Sequence, residues 1–271
     1  MGAILFNVTT AALMVMMVNC GLGVVGRDTL RGRPLPWAAI ALTAIAVGGV
    51  LLQLVWSGAM DALDADPARS GWWREFTSVF MQNGGLFGGL WNLVTLAAVA
   101  ALAQWYWGGP LTLAFFLAGI LLPGRIDTLL GFGGGPSTDP RNFAGSSGAT
   151  YFLGATLALA FLTRTRLPKE IALAAGVPAL GLAMWLAQEN GHGLVSVYGF
   201  VLAAAFLRRA GTRRTPTAPG PAPLPVRGVT PVREGCFPRS SGRPAAADSV
   251  HAHTVRDDDR APRPAGGGRR Q

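Results

Sequence analysis

The sequence predicts an all-α membrane protein built as a bundle of transmembrane helices. Half of the 271 residues are apolar and only 14% are charged, whereas about a quarter of a typical soluble domain is charged. The apolar residues are concentrated in seven runs, and a membrane-crossing helix needs about 20 mostly apolar residues. Dense and sparse groups of basic residues alternate between these runs, as expected when successive loops lie on opposite sides of a membrane.

Seven segments meet or approach the length of a crossing helix. They are 3–25, 37–56, 87–107, 111–122, 145–163, 171–187 and 192–208. The first has no basic start and no small-residue cleavage pattern before Arg27, so we interpret it as a retained helix rather than a signal peptide. The fourth is too short by itself, and it is followed by Pro123, Gly124, Arg125 and Asp127.

The basic residues predict the number and direction of the crossings, because short cytoplasmic loops are enriched in Lys and Arg. With seven crossings, ten basic residues share one side: Arg27, Arg31, Arg33, Arg164, Arg166, Lys169, Arg208, Arg209, Arg213 and Arg214. The other side then has four: Arg69, Arg74, Arg125 and Arg141. We therefore expect the N-terminus outside and the C-terminus in the cytoplasm. The Ala, Gly, Arg and Pro bias resembles a high-GC bacterial chain, which favours the plasma membrane.

Residues 209–271 form a separate region rich in Pro, Gly and Arg. Residues 208–271 contain thirteen Arg against five acids and show no apolar periodicity, so we expect a disordered, basic cytoplasmic tail. Its charge would suit anionic lipid headgroups, although a solvated topology signal is the simpler interpretation, and no nucleic-acid partner is predicted. Cys20 and Cys236 form no zinc-binding spacing, and no metal or cofactor is predicted.

One serine and one histidine stand out within the membrane segments. Because His251 and His253 lie in the tail, His192 is the only imidazole available to the membrane body. Ser147 lies in Gly145-Ser146-Ser147-Gly148 at the start of a helix, after a Gly-rich loop. One helix separates the starts of these two helices, so both run in the same direction and both residues fall at the external end. A serine hydroxyl needs a base within hydrogen-bond reach to act as a nucleophile.

The residues that share a helix face with Ser147 and with His192 are also compatible with a close pair. Residues three, four or seven positions apart lie on the same side of a helix. Two stripes result: His192, Ser196, Gly199 and Ala203, and Ser147, Tyr151 and Gly154. Small residues let membrane helices approach closely, and each of these residues taken alone fits ordinary helix packing. Acyl transfer also needs donors for the developing oxyanion. The candidates are the backbone N–H of Ser147 and the side-chain amide of Asn92.

The chain resembles the rhomboid family of intramembrane serine proteases from Pro36 to about Leu207. The matching residues are Trp73-Arg74, Phe76-Thr77-Ser78-Val79-Phe80, Asn92, Gly145-x-Ser147-Gly148, Tyr151, and His192 followed by Gly199. The resemblance implies a six-helix core over 36–208, preceded over 1–35 by an extra helix and a basic loop. It also implies a catalytic Ser147–His192 dyad without an acid partner, Tyr151 stacked on the histidine, Asn92 helping to hold the oxyanion, and supporting roles for Gly145, Gly148 and Gly199.

Two positions depart from the family pattern. The family commonly has a His four residues before the Asn, where this chain has Gly88, and one oxyanion donor is typically worth about 100- to 1,000-fold in rate. Val195 stands where the family often has Gly, which predicts looser packing near the base.

Three functions follow as hypotheses. The first is an intramembrane serine endopeptidase that cleaves transmembrane segments of single-span membrane proteins. The second, motivated by Gly88, is a catalytically weak or inactive rhomboid-like pseudoprotease that binds transmembrane helices. The third, a small transporter, lacks the acid or Lys within the predicted segments that ion coupling would use.

Overall fold

The computed structural model describes residues 2–66, 68–82, 85–131 and 144–212. Within them the chain is all-helical, which confirms the predicted class. Seven long helices form the bundle: α1 (Gly2–Val25), α2 (Trp37–Val55), α5 (Gly85–Trp107), α6 (Gly109–Leu130), α7 (Ser147–Leu162), α8 (Pro168–Gln188) and α9 (Gly191–Thr212). Two short helices, α3 (Ala59–Leu63) and α4 (Arg74–Thr77), and the 3₁₀ turns Arg27–Thr29 and Ser78–Phe80 complete the described elements.

The long helices have the length and composition of membrane spans. Six of them, all except α7, are long and apolar enough to cross a bilayer, so the protein is a multi-pass membrane protein. Their outward faces carry large apolar side chains such as Ile45, Leu54, Val94 and Leu186, as a lipid environment requires.

The fourth helix is longer than predicted. It does not end at residue 122, because α6 continues through Pro123 to Leu130 and is 22 residues long. A proline inside a helix removes one backbone hydrogen bond, but membrane helices tolerate this because neighbouring groups satisfy the freed carbonyl. The segment 111–122 was too short to cross the membrane by itself, and the eight residues from Pro123 to Leu130 supply the missing length.

Helix α7 forms the centre of the bundle. Residues 149–161 are all buried, and α7 packs against α1, α5, α6, α8 and α9. It has 16 residues, which at about 1.5 Å per residue span about 24 Å, less than the roughly 30 Å of a hydrocarbon core. A helix enclosed by protein need not match the thickness of the bilayer, since its ends contact neighbouring helices rather than lipid.

Helix α1 is an integral part of this bundle. It packs against α5, α7 and α8, and its side chains Leu13, Met14 and Met17 are almost fully buried. A methyl group at Gly154 of α7 would lie 2.6 Å from the sulfur of Met17, so any larger residue there would displace the Met17 side chain. The extra helix is thus fitted directly against the central one.

The connection between α2 and α5 is folded around Arg74. Its Nη1 donates to the Asp64 carbonyl oxygen at 2.9 Å and pairs with the Asp64 carboxylate at 3.2 Å. The Thr77 hydroxyl donates to the carbonyl oxygen of Leu63 at 2.8 Å. These contacts hold α3 and α4 together and fix the path of the chain towards the segment Ser78–Gln82.

Two predicted regions lie outside the described residues. One is the Gly-rich loop before Ser147, of which 132–143 are not described. The other is the predicted tail, from residue 213 onward. The last helix continues to Thr212, four positions beyond the predicted end of the core at 208.

Candidate active site

Ser147 and His192 form a hydrogen-bonded pair at one end of the bundle. Ser147 is the first residue of α7 and His192 the second of α9. The Ser147 Oγ lies 2.9 Å from the His192 Nε2, within the range of a nucleophile and its base. Both residues are half-buried. The parallel directions of α7 and α9 bring together two residues 45 positions apart.

Asn190, which is not among the predicted site residues, holds the other side of the imidazole. The Asn190 Oδ1 lies 3.1 Å from the His192 Nδ1 and also 3.1 Å from the His192 backbone nitrogen. A backbone N–H can only donate, so the Asn190 atom facing it must be the carbonyl oxygen. That oxygen can only accept, so Nδ1 carries the ring proton and Nε2 is free to accept the Ser147 hydroxyl proton.

The position of Asn190 follows from helix capping. Asn is among the preferred residues immediately before a helix, where its side-chain oxygen accepts a backbone N–H of the first turn. Asn190 directly precedes α9 and is fully buried. Glu189, the residue before it, has the left-handed conformation with φ 52°. An Asn directly before the helix that carries the histidine was therefore a usable signal in the sequence.

Tyr151 and helix α1 enclose the histidine. The ring centroids of Tyr151 and His192 are 4.9 Å apart in an edge arrangement, and Phe6 of α1 approaches His192 at 6.4 Å, also by its edge. The Tyr151 hydroxyl donates to the Thr10 carbonyl oxygen at 2.7 Å. The Asn190 Nδ2 donates to the Thr10 hydroxyl at 3.0 Å. One residue of α1 therefore fixes two of the groups that contact the imidazole.

The predicted oxyanion donors lie on the same side as the serine hydroxyl. A methyl group on Gly145 would be 3.5 Å from the Asn92 Nδ2 and 3.6 Å from the Ser147 Oγ, so both atoms face one small space. The Asn92 Nδ2 donates to the Gln82 Oε1 at 2.9 Å, which leaves its second hydrogen available. The Ser147 N–H begins a helix, where no intrahelical carbonyl can accept it.

The three supporting glycines differ in their surroundings. Gly145 has φ 129°, a conformation that favours glycine, and its N–H donates to the Ser78 carbonyl oxygen at 3.0 Å. A methyl group on Gly199 would lie 2.2 Å from the Phe152 carbonyl oxygen, so α9 and α7 are in backbone contact there. Among the described residues outside its own helix turn, none lies within 4 Å of a methyl group placed on Gly148, which leaves room beside the serine.

Two unpartnered polar atoms lie in segments that adjoin the pair. Among the described residues, the buried side-chain atoms without a hydrogen-bond partner are Thr43 Oγ1, Arg74 Nε, Gln82 Nε2 and Ser146 Oγ. Ser146 precedes Ser147, and Gln82 contacts Asn92. Native proteins leave few buried polar groups unpaired, and those that remain are often associated with function. Gly88, one turn before Asn92, is half-buried and supplies no donor side chain.

No protein-family model matches this chain, and no curated protein or solved structure matches it either. Within the part of the chain that the structure describes, no three His, Cys, Asp or Glu residues group together as a metal site. The function of the protein is therefore inferred from the geometry of Ser147, His192 and Asn190.

A separate apolar groove lies between α2 and α5. Its volume is about 530 Å³, and its lining includes the small residues Ala44, Gly48, Ala97 and Ala101. None of the residues of the Ser147–His192 pair lines it. Small residues on adjacent helices permit close approach of a further helix within a membrane.

Proposed function

We propose that the protein is an intramembrane serine endopeptidase of the rhomboid type, which cleaves transmembrane segments of single-span membrane proteins. The observation that carries this proposal is the 2.9 Å contact between the Ser147 Oγ and the His192 Nε2. Asn190 sets the ring tautomer that lets this nitrogen accept a proton. A nucleophile, a base and a group orienting the base are the features by which acyl-transfer sites of this kind are recognised.

In the first half of the reaction, the Ser147 Oγ attacks the carbonyl carbon of the scissile peptide as its proton moves to the His192 Nε2. The carbonyl π electrons move onto the oxygen, and the Asn92 amide and the Ser147 N–H donate to the resulting oxyanion. When the carbonyl reforms, the C–N bond breaks and the imidazolium gives its proton to the leaving nitrogen. The products are a free amine and an acyl ester on Ser147.

In the second half, water hydrolyses the ester. His192 takes a proton from the water, the hydroxide adds to the acyl carbon, and the Ser147 oxygen leaves with that proton. The open space beside Gly148 and the half-buried state of Ser147 and His192 support access of water and of a peptide to the pair. Helix α7 is shorter than the other helices of the bundle and begins at Ser147. This supports a position for Ser147 deeper in the membrane than the ends of the longer helices.

The arrangement of the helices also supports the proposal. Helices α2 and α5–α9 would be the six-helix core, with Ser147 on the fourth and His192 on the sixth of its helices, and α1 would be the additional helix. The basic residues favour a plasma-membrane orientation with the N-terminus outside and the C-terminus in the cytoplasm. In that orientation cleavage would occur near the external face.

The direct test is cleavage of a single-span membrane substrate by the full-length protein in liposomes. Wild type is expected to cleave it and to react covalently with a serine-directed fluorophosphonate, whereas Ser147→Ala and His192→Ala lose both activities. Thr163→Val is a suitable control, since the Thr163 hydroxyl donates to the Ala160 carbonyl oxygen within its own helix turn. Labelling that persists in Ser147→Ala would contradict the assignment of the nucleophile.

The groove between α2 and α5 favours a second candidate, a non-catalytic protein that binds transmembrane helices. This function would need the groove but not the hydroxyl of Ser147. It predicts that Gly48→Leu, which fills the groove, abolishes association with a partner helix while Ser147→Ala leaves association intact. If Ser147→Ala, expressed at the normal level, lost the effect that the wild-type protein has in cells, that result would argue against a non-catalytic function.

A further inference from the structure

The side chain of Gln82 has a buried donor without a partner next to Asn92. Gln82 is only 8% exposed. Its Oε1 accepts from the Asn92 Nδ2 at 2.9 Å, whereas its Nε2 has no partner within the part of the chain that the structure describes. A buried donor without an acceptor destabilises the protein that contains it. The two amides lie side by side, so the free N–H₂ of Gln82 belongs to the same polar cluster as the predicted oxyanion donor.

Gln82 is held rigidly in this place. Its backbone N–H donates to the Gln53 Oε1 at 2.8 Å, and its carbonyl oxygen accepts from the Gln53 Nε2 at 3.0 Å. Helix α2 approaches this segment closely, because a methyl group on Gly49 would lie 2.2 Å from the Phe80 carbonyl oxygen. With its backbone fixed and its Oε1 bonded to the Asn92 Nδ2, the buried Gln82 side chain loses little further freedom when it binds a reacting atom.

The segment Ser78–Gln82 also runs beside the serine motif. The carbonyl oxygen of Ser78 accepts from the Gly145 N–H at 3.0 Å. The Asn92 Nδ2, which contacts Gln82, faces the same small space as the Ser147 Oγ. Two independent contacts, one through Ser78 and one through Asn92, thus bring this segment to the place where the oxyanion would form.

We infer that the Nε2 of Gln82 is a third donor to the oxyanion, together with the Asn92 amide and the Ser147 N–H. The inference rests on the proposed protease function and adds a catalytic residue to it. The free donor has no partner among the described residues, and it would gain one when the carbonyl oxygen becomes negative. This supplies a side-chain donor near α5, where Gly88 offers none.

A positioning role is the competing explanation, because Gln82 could act solely by holding Asn92. The two roles differ in a double-mutant cycle. If Gln82 acts through Asn92, the effect of Gln82→Met disappears once Asn92 is replaced by Ala. If Gln82 donates to the oxyanion itself, Gln82→Met lowers the rate again in the Asn92→Ala background.

The experiment measures single-turnover cleavage of a single-span substrate in liposomes by wild type, Gln82→Met, Asn92→Ala, the double variant and Ser147→Ala. Gln82→Met is expected to lower the rate about 100-fold with unchanged KM, and by at least about tenfold in the Asn92→Ala background. A peptide aldehyde, whose serine adduct carries the same oxyanion, should bind correspondingly more weakly. Gln104→Met is the matched control, since Gln104 accepts from the Ala38 N–H elsewhere in the bundle.

Gln82→Glu keeps an oxygen to accept from Asn92 but has no N–H₂ group, and it serves if the Met variant does not fold. A wild-type rate in Gln82→Glu or Gln82→Met, or loss of the effect in the Asn92→Ala background, would overturn the donor assignment while the protease function stands. If wild type and Ser147→Ala are equally inactive, the protease function fails and the donor assignment fails with it.

Discussion

A single oxygen of Asn190 both caps helix α9 and orients the imidazole of His192. It lies 3.1 Å from the His192 backbone nitrogen and 3.1 Å from the ring Nδ1. The cap fixes the start of the helix relative to the ring, and the ring contact fixes the tautomer. The orientation of the imidazole is therefore set by the same oxygen that caps its helix, and the other amide atom of Asn190 connects this arrangement to Thr10 of α1.

Replacement of Asn190 by Ala is expected to lower kcat for cleavage by about 100-fold, because a misplaced catalytic group typically costs that much. Asn190→Asp is the matched control, since it keeps an oxygen that caps the helix and accepts from Nδ1, and it should retain most of the activity. The measurement is cleavage in liposomes with the thermal midpoint Tm recorded for each variant. Equal activity in the Ala and Asp variants would show that Asn190 does not orient the base.

Thr10→Val tests the contribution of the extra helix to the site. The substitution removes the hydroxyl that accepts from Asn190 but retains the carbonyl that accepts from Tyr151. The buried donor left on Asn190 should cost about 1–3 kcal/mol of stability and lower kcat with little change in KM. Thr163→Val, at the opposite end of α7, should change neither. Wild-type kcat in Thr10→Val would mean that α1 packs against the core without affecting the base.

Gly199→Ala is expected to destabilise the bundle by about 1–3 kcal/mol, the usual cost of overpacking. The added methyl group would lie 2.2 Å from the Phe152 carbonyl oxygen, so α7 and α9 must separate, and the Ser147–His192 distance must change with them. Gly124→Ala on α6, where the methyl group meets open space, is the control. The readout is the unfolding midpoint in detergent, and an unchanged midpoint in Gly199→Ala would contradict the backbone contact.

Arg74→Met is expected to loosen the connection between α2 and α5. Arg74 makes its bonds to Asp64 where both side chains are largely shielded from solvent, so its loss leaves buried acceptors unpaired. Trypsin cleavage after Arg69 in liposomes should become about tenfold faster or more. Arg125→Met removes the exposed ion pair with Glu75, which is worth little, and should leave the cleavage rate unchanged. Equal rates in both variants would rule out Arg74 as the anchor.

Part of the site was predictable because it depends on helix order. Ser147 and His192 begin helices separated by one crossing, which places them at the same end of a bundle regardless of side-chain detail. Tyr151 and Gly199 follow from the helical repeat in the same way. Asn190 was also within reach, since its signal is local, an Asn immediately before a helix.

Gln82 and Thr10 were not predictable in this way. Gln82 contacts Asn92 from a position that Gln53 of α2 holds by two hydrogen bonds. Thr10 is separated from Asn190 by 180 positions and from Tyr151 by 141. No local pattern specifies partners at such separations, because they depend on how the helices pack.

The sequence by itself determined that this is a multi-pass, all-helical membrane protein, because hydropathy and helix length are local properties that a bilayer makes decisive. It also placed the serine and the histidine at the same end of the bundle. The tertiary structure decided that α1 packs against the site, that Asn190 selects the tautomer of His192 and that Gln82 lies beside Asn92. These features depend on hydrogen bonds between distant residues, and such bonds are fixed only when the packing of the helices brings donors and acceptors within about 3 Å of each other.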